Sequence, residues 1–140
     1  GNQLGGVPSA TFLGGDGWDS SELVPIGGSA IEGGMFSNHY APGSSDPVAK
    51  NFYDNYVKRF GAPPDALAAL AYDACLIVGE AITKAGKLDK TAIRDAMAAT
   101  KDLHAVSGVL TFDANRNPIK SAVILEVKGG KFVYRDTVNP

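Results

Sequence analysis

The sequence contains few of the groups on which several functions depend. Among its 140 residues there is one cysteine, one tryptophan and two histidines. A single cysteine excludes an internal disulfide and a zinc site built on paired cysteines. Cys75 lies in an apolar run, which predicts a small buried side chain rather than a nucleophile.

Blocks of one charge sign and uninterrupted apolar runs are also missing. Thirteen basic and 15 acidic residues give a formal charge of −2, and no basic block is present. This distribution argues against a nucleic-acid partner, which would need a track of positive charge. The longest apolar stretch, residues 66–85, is interrupted by Asp73, Glu80 and Lys84, so it does not predict a membrane span.

Motifs for metals, cofactors and catalysis are not found. Neither His39 nor His104 has a second histidine or a carboxylate at a metal-binding spacing. Residues 113–117 imitate the opening of a calcium loop, but Pro118 replaces the expected glycine and Ile124 the expected glutamate. A hairpin turn explains that stretch better. No phosphate-binding glycine loop, dinucleotide fingerprint or nucleophile elbow occurs, so we predict no cofactor and no enzyme activity.

The periodicity of apolar residues predicts an α/β chain with strands at both ends and three helices between them. The apolar residues of the second helix cover more than one face, so we expect it to need a partner that these residues do not supply. The predicted strands lie at 9–13, 31–40, 109–112, 122–127 and 132–135, and the predicted helices at 47–60, 66–85 and 90–100.

Several motifs in a fixed order resemble one family. They are Phe12-Leu13-Gly14-Gly15-Asp16-Gly17-Trp18-Asp19, Ile31-Glu32-Gly33-Gly34, Phe36-Ser37-Asn38-His39-Tyr40, Pro64-Asp65-Ala66-Leu67-Ala68-Ala69-Leu70-Ala71-Tyr72-Asp73-Ala74 and Gly108-Val109-Leu110-Thr111-Phe112-Asp113. The chain resembles the C-terminal part of the periplasmic substrate-binding proteins of branched-chain amino acid ABC transporters. Those proteins have the type I periplasmic-binding-protein fold, in which two α/β lobes hold a ligand between them.

The resemblance implies a fragment of that two-lobed fold, with pieces of both lobes. A larger N-terminal portion would then be absent, and it could act as a companion chain or be replaced by self-association. By resemblance, residues 1–40 and 109–140 belong to the second lobe and residues 46–103 to the first, with crossovers at 41–45 and 104–108.

Asp16 is the strongest candidate for ligand contact. It follows an apolar strand in a glycine-flanked loop, and ligands of open α/β sheets bind outside the carboxyl ends of strands. A carboxylate there suits a cationic ammonium group, and the resembling family places an acidic residue at this position against the ligand's amino group. The alternative is a loop aspartate that caps the short helix after it.

Two further residues are candidates with structural alternatives. Trp18 could form a wall of the cleft or anchor its loop on the sheet. By resemblance, Leu67 aligns approximately with a position that contacts the ligand's apolar group. The alternative for Leu67 is core packing at the start of a buried helix.

The resemblance implies non-catalytic binding of an amino acid or similar small zwitterion, which an ABC permease would then take up. It also implies a periplasmic location, or an extracellular one with a lipid anchor in the parent protein. Groups for the ligand's carboxylate would lie in the absent portion. The alternative function is that of a sensor or receptor ligand domain, or of an associating fragment that acts through protein–protein contacts. No metal ligand is predicted.

Overall fold

The computed structural model describes residues 10–140, and these form two compact units. The sheet unit comprises residues 10–41 and Ala122–Val138, and the helical unit comprises Pro42–Ser121 with Asn139–Pro140. The start of the predicted strand at 9–13 lies outside the described residues. The elements in chain order are β1 Leu13–Gly14, α1 Leu23–Gly27, β2 Met35–Asn38, α2 Pro47–Phe60, α3 Ala66–Ala85, α4 Lys90–Ala98, β3 Leu103–Ala105, β4 Gly108–Phe112, β5 Pro118–Ile119, β6 Ala122–Lys128 and β7 Lys131–Val138.

The sheet unit is a four-stranded sheet in the order β1-β2-β6-β7. β1 and β2 run parallel, whereas β6 is antiparallel to both β2 and β7. Gly129 and Gly130 join β6 to β7 with positive φ angles of 59° and 72°, as a tight right-twisting hairpin turn requires. This hairpin confirms the sequence prediction.

One face of the sheet carries the core of this unit. Phe36 of β2 and Leu125 of β6 are almost fully buried and sit opposite one another in the register. The Phe36 ring meets Phe132 edge-on at 5.0 Å between centroids, a favoured aromatic geometry. Trp18 and Val123 pack against the same cluster, so the loop that follows β1 is tied to the sheet.

The helices of the second unit begin and end at the predicted signals. Asp46 accepts hydrogen bonds from the N–H groups of Val48 and Ala49, and Asp65 caps α3 in the same way through Ala68. Gly61 and Gly86 take the left-handed conformation just after α2 and α3. Asp89 caps α4, which ends at Ala98 rather than at Thr100.

The buried stripe of α3 is narrow, and this overturns one prediction. The fully buried residues Ala66, Ala69, Asp73 and Ala81 fall on one side of the helix at 3.6 residues per turn. Cys75 lies away from that side and is exposed, so its predicted burial is wrong. Leu67, Val78 and Ile82 share the same exposed side.

Among the described residues, α3 is also the one helix that is long and apolar enough to cross a bilayer. Its 18-residue window has a mean hydropathy of 1.6, despite the acidic and basic residues that interrupt it. Length and composition alone are weak grounds for a span, since the core helix of a soluble protein has the same properties.

Residues 109–121 group with the helical unit rather than with the sheet unit, and the predicted assignment of residues 109–140 to the second lobe stays a proposal. β4 pairs with β3 as an antiparallel hairpin, and the Phe112 N–H donates to the Thr100 carbonyl. These bonds hold residues 104–121 with the helices, and the chain enters the sheet unit again only at Ala122. The sequence prediction missed β3 because the strand is three residues long.

The Asp113–Asn117 turn between β4 and β5 supports a pH prediction. The backbone N–H of Asn117 holds the pKa of Asp113 below its usual value of 3.8, and burial opposes this shift. The side-chain amide of Asn117 and the backbone N–H of Asn115 lower the pKa further. Because the pKa of Asp113 is lower in the folded chain than in the unfolded chain, its carboxylate stabilises the turn above pH 3.8. This stabilisation is lost as the pH falls through the pKa of the folded chain. We expect the amide proton shifts of Asn115 and Asn117 in NMR to titrate below pH 3.8. A midpoint at or above 3.8, or unchanged titration in Asp113→Asn, would contradict this.

Candidate functional site

The topology of the sheet unit brings two loops to one edge. β1 and β2 are neighbours and parallel, with Leu13 opposite Met35 and Gly14 opposite Phe36. Their carboxyl ends therefore lie at the same edge of the sheet, where α/β folds place their ligands.

Asp16 and His39 meet at this edge. Asp16 belongs to a 3-10 turn, Asp16–Trp18, that follows β1, and His39 directly follows β2. The His39 Nε2 atom lies 3.3 Å from the Asp16 Oδ2 atom, and the two side chains are 38% and 65% exposed. The sequence analysis named Asp16 as a candidate but did not predict its contact with His39, because parallel pairing of two short strands cannot be deduced from local pattern.

The alternative role of Asp16 as a helix cap receives no support from the geometry. The residue before the 3-10 turn is Gly15, and neither this turn nor α1 has a side-chain cap. The Asp16 carboxylate is therefore directed to His39 and solvent rather than to a helix start, which leaves it available to a cation.

Trp18 packs as a loop anchor. Its ring centroid is 6.2 Å from that of Phe36, and it is partly buried against the core of the sheet unit. It also lines a shallow cavity of about 280 Å³ with α1 residues, including Leu23 and Ile26. Its predicted alternative role as a wall of a ligand cleft stays a proposal.

Gly14 makes room for the Trp18 ring, and this gives a testable prediction. A Cβ at Gly14 would overlap the Trp18 ring, whereas a Cβ at Gly15 would meet nothing within 4 Å. Gly14→Ala should therefore displace the ring, shifting Trp18 fluorescence to the red and increasing acrylamide quenching. Gly15→Ala is the matched control and should leave both unchanged. Equal spectra for the two variants would show that the ring does not pack on Gly14.

Leu67 lies in the helical unit, on the first turn of α3, and is 75% exposed. Its alternative explanation, core packing, is therefore wrong for the residues that the structure describes. Its contact with a ligand's apolar group stays a proposal.

A buried carboxylate in the helical unit was not predicted. Asp73 on α3 is 3% exposed, and its two oxygens accept the N–H groups of Val106 and Ser107 at 2.7 and 2.9 Å. Burial lowers the pKa of Lys120, and the negative charge of Asp73 works against that shift. Each oxygen of Asp73 accepts a hydrogen bond from the β3–β4 turn, so the role of this carboxylate is structural. The sequence signal that could have predicted this buried carboxylate is a single acidic residue on the buried stripe of an apolar helix.

Two further observations on residues 10–140 concern a groove beside α4 and possible metal ligands. A groove of about 530 Å³ lies beside α4 in the helical unit. Three of its lining residues are cationic and none is acidic, so it has no partner for an ammonium group. No group of three or more histidine, cysteine, aspartate or glutamate side chains in this part of the chain could hold a metal ion.

The fold and the sequence define the class of protein. Residues 2–131 match the periplasmic binding protein family, and the chain belongs to that family. This confirms the resemblance noted in the sequence motifs. The family comprises binding proteins of transporters rather than enzymes.

Individual relatives are similar along most of the chain. Leu/Ile/Val-binding protein homolog 2 of Brucella abortus is 33% identical over 134 residues, which are 89% of this chain and 34% of the relative. A leucine-binding protein of Thermotoga maritima superposes with a TM-score of 0.89 at 40% identity, over 99% of this chain and 39% of that structure. A branched-chain amino acid transporter substrate-binding protein of Streptococcus pneumoniae, solved with isoleucine, gives 0.85 at 29% identity, over 99% and 40%.

These superpositions confirm the predicted fold class, an α/β fold that matches part of the type I periplasmic-binding-protein fold. The chain spans about a third of the length of the curated relatives that it matches.

Proposed function

We propose that the whole protein binds an amino acid or a similar small zwitterion for uptake by an ABC transporter. The observation that supports this most is the exposed Asp16 carboxylate at the carboxyl edge of two parallel strands. The relatives add support, since their names describe leucine, isoleucine and valine binding. Their family supports a periplasmic or extracellular location, and a lipid anchor in the parent protein is part of the proposal.

Asp16 supplies one half of such a site. A carboxylate pairs with the ligand's ammonium group through charge-assisted hydrogen bonds, and the ligand's own carboxylate needs donors of the opposite kind. We place those donors on polypeptide beyond these 140 residues, and we place Trp18 and Leu67 beside the ligand's apolar side chain.

Calorimetry on two proteins tests this division of the site. A panel of L-amino acids would be titrated into the full-length protein and into the 140-residue chain. We expect the full-length protein to bind an apolar amino acid and the chain alone to bind it about 100-fold more weakly, because loss of a charged anchor costs roughly 2–5 kcal/mol. Equal affinities would contradict the split site, and failure of the whole panel would contradict amino-acid binding.

The exposed side of α3 supports a second proposal, that this surface is covered by polypeptide. Val78 and Ile82 are 40% and 37% exposed on one side of the helix. Apolar patches of this kind favour association. We propose that the remainder of the protein covers this side, and that copies of the isolated chain cover it for one another. The sensor or receptor alternative would use the same surface for a partner protein.

The state of association of the isolated chain tests this surface. We expect size-exclusion chromatography with light scattering to show dimers or larger species that become monomers on dilution. Val78→Ser with Ile82→Ser should shift the equilibrium towards monomer, whereas the neighbouring exposed Thr83→Ser should not. A wild-type chain that is monomeric at every concentration would contradict the proposal.

A further inference from the structure

The Asp16 carboxylate is held from one side only. It lies on a short 3-10 turn with no side-chain cap. Within residues 10–140, its one ion-pair contact is with the Nε2 atom of His39, through Oδ2 at 3.3 Å. Without that contact nothing described in the structure would fix the rotamer of a side chain that is 65% exposed.

His39 is itself held by the sheet. The preceding residue, Asn38, is 2% exposed and lies opposite Val123 of β6. The Oδ1 atom of Asn38 accepts the backbone N–H of His39 at 2.8 Å. The imidazole therefore projects from the end of a strand whose last residue is paired with β6, whereas Asp16 lies on a loop. A group on a rigid element that contacts a functional side chain fixes its orientation.

We infer that His39 is a positioning residue for Asp16, an inference that rests on the proposed function. The imidazole engages Oδ2, and the Oδ1 atom and the exposed side of the carboxylate face the ligand. With the imidazole neutral, the pair carries a net negative charge, so the site favours a ligand with a primary ammonium group over a neutral or anionic one.

The length of the side chain at position 39 provides the test. The amide nitrogen of glutamine reaches about as far as Nε2 of histidine, whereas that of asparagine stops at the position of Nδ1. L-Leucine would be titrated into full-length His39→Asn and His39→Gln. We expect about five-fold weaker binding for His39→Asn, the effect of an exposed charged pair, and wild-type affinity within about two-fold for His39→Gln. His104→Asn, at the other histidine, should have no effect.

A double mutant of His39 and Asp16 provides a second test of the positioning role. Adding His39→Asn to Asp16→Asn should cause no further loss, because the positioned carboxylate is already gone. Unchanged leucine affinity in His39→Asn, with loss in Asp16→Asn, would overturn the role of His39 and leave the proposed function intact. Equal losses for His39→Asn and His39→Gln would also overturn it.

A measurement without ligand distinguishes failure of the proposed function from failure of the positioning role of His39. If no amino acid binds, the proposed function falls, but Trp18 fluorescence still reports on the turn that contains Asp16. His39→Asn should then increase acrylamide quenching of Trp18 and His39→Gln should not. Identical quenching in both variants and the wild type would overturn the positioning role.

Discussion

Asp16→Asn should weaken amino-acid binding by the full-length protein about 100-fold. The substitution keeps the shape of the side chain and removes the negative charge that we propose pairs with the ligand's ammonium group. We expect the closed, ligand-bound site to bury this pair, and truncating one partner of a buried hydrogen-bonded charge pair costs roughly 2–5 kcal/mol, partly because the other charge is left desolvated and unpaired. Isothermal titration with L-leucine measures the change directly.

The matched control for this prediction is Glu22→Gln, which makes the same change from carboxylate to amide in the same unit. Glu22 is exposed and follows the turn that holds Asp16. The affinity of Glu22→Gln for leucine should stay within about two-fold of wild type, since an exposed charge that does not contact the ligand contributes little. If both variants bind like the wild type, Asp16 does not contact the ligand.

Asp73→Ala should destabilise the helical unit by about 3 kcal/mol. The substitution removes the acceptors of two N–H groups, the buried one of Val106 and the partly buried one of Ser107. It also removes the negative charge that faces the half-buried Lys120, which leaves that ammonium group less well compensated. Urea unfolding followed by circular dichroism at 222 nm measures the change in the free energy of unfolding.

Two further variants make this prediction specific. Asp73→Asn keeps one oxygen as an acceptor, so it should cost less than Asp73→Ala. Asp54→Asn removes an exposed charge on α2 that pairs with Lys50, and exposed i,i+4 pairs are worth about 0.3–0.5 kcal/mol. An unfolding midpoint for Asp73→Ala equal to that of Asp54→Asn would show that the buried bonds do not hold the β3–β4 turn.

The sequence was sufficient for the helices because their signals are local. Asp46, Gly61, Asp65 and Gly86 mark the ends of α2 and α3 by capping chemistry that needs no tertiary partner. The β6–β7 hairpin was predictable for the same reason, since two glycines between two apolar runs specify a tight turn.

What could not be predicted depends on pairing between distant segments. The contact of Asp16 with His39 requires β1 to lie parallel to β2, and a strand of two residues carries no pattern that specifies its partner. The exposure of Cys75 could not be predicted for the same reason, since it depends on contacts between distant segments. An apolar helix predicts burial, but which side is buried depends on what packs against it, and here only the stripe that includes Asp73 is covered.

The boundary between the units was also beyond local pattern. An apolar strand at 108–112 fits either unit, and it is the backbone pairing with Leu103–Ala105 that joins it to the helices. The assignment of each unit to a lobe of the full-length protein stays a proposal.

A crystal structure of the full-length protein with L-leucine, or with the amino acid that it binds most tightly, tests the central claim directly. We expect the ligand's ammonium nitrogen at about 2.7–2.9 Å from the Asp16 carboxylate, with the ligand's carboxylate held by residues outside these 140. A ligand enclosed elsewhere, with Asp16 directed to solvent and no ammonium group beside it, would contradict the proposed role of Asp16.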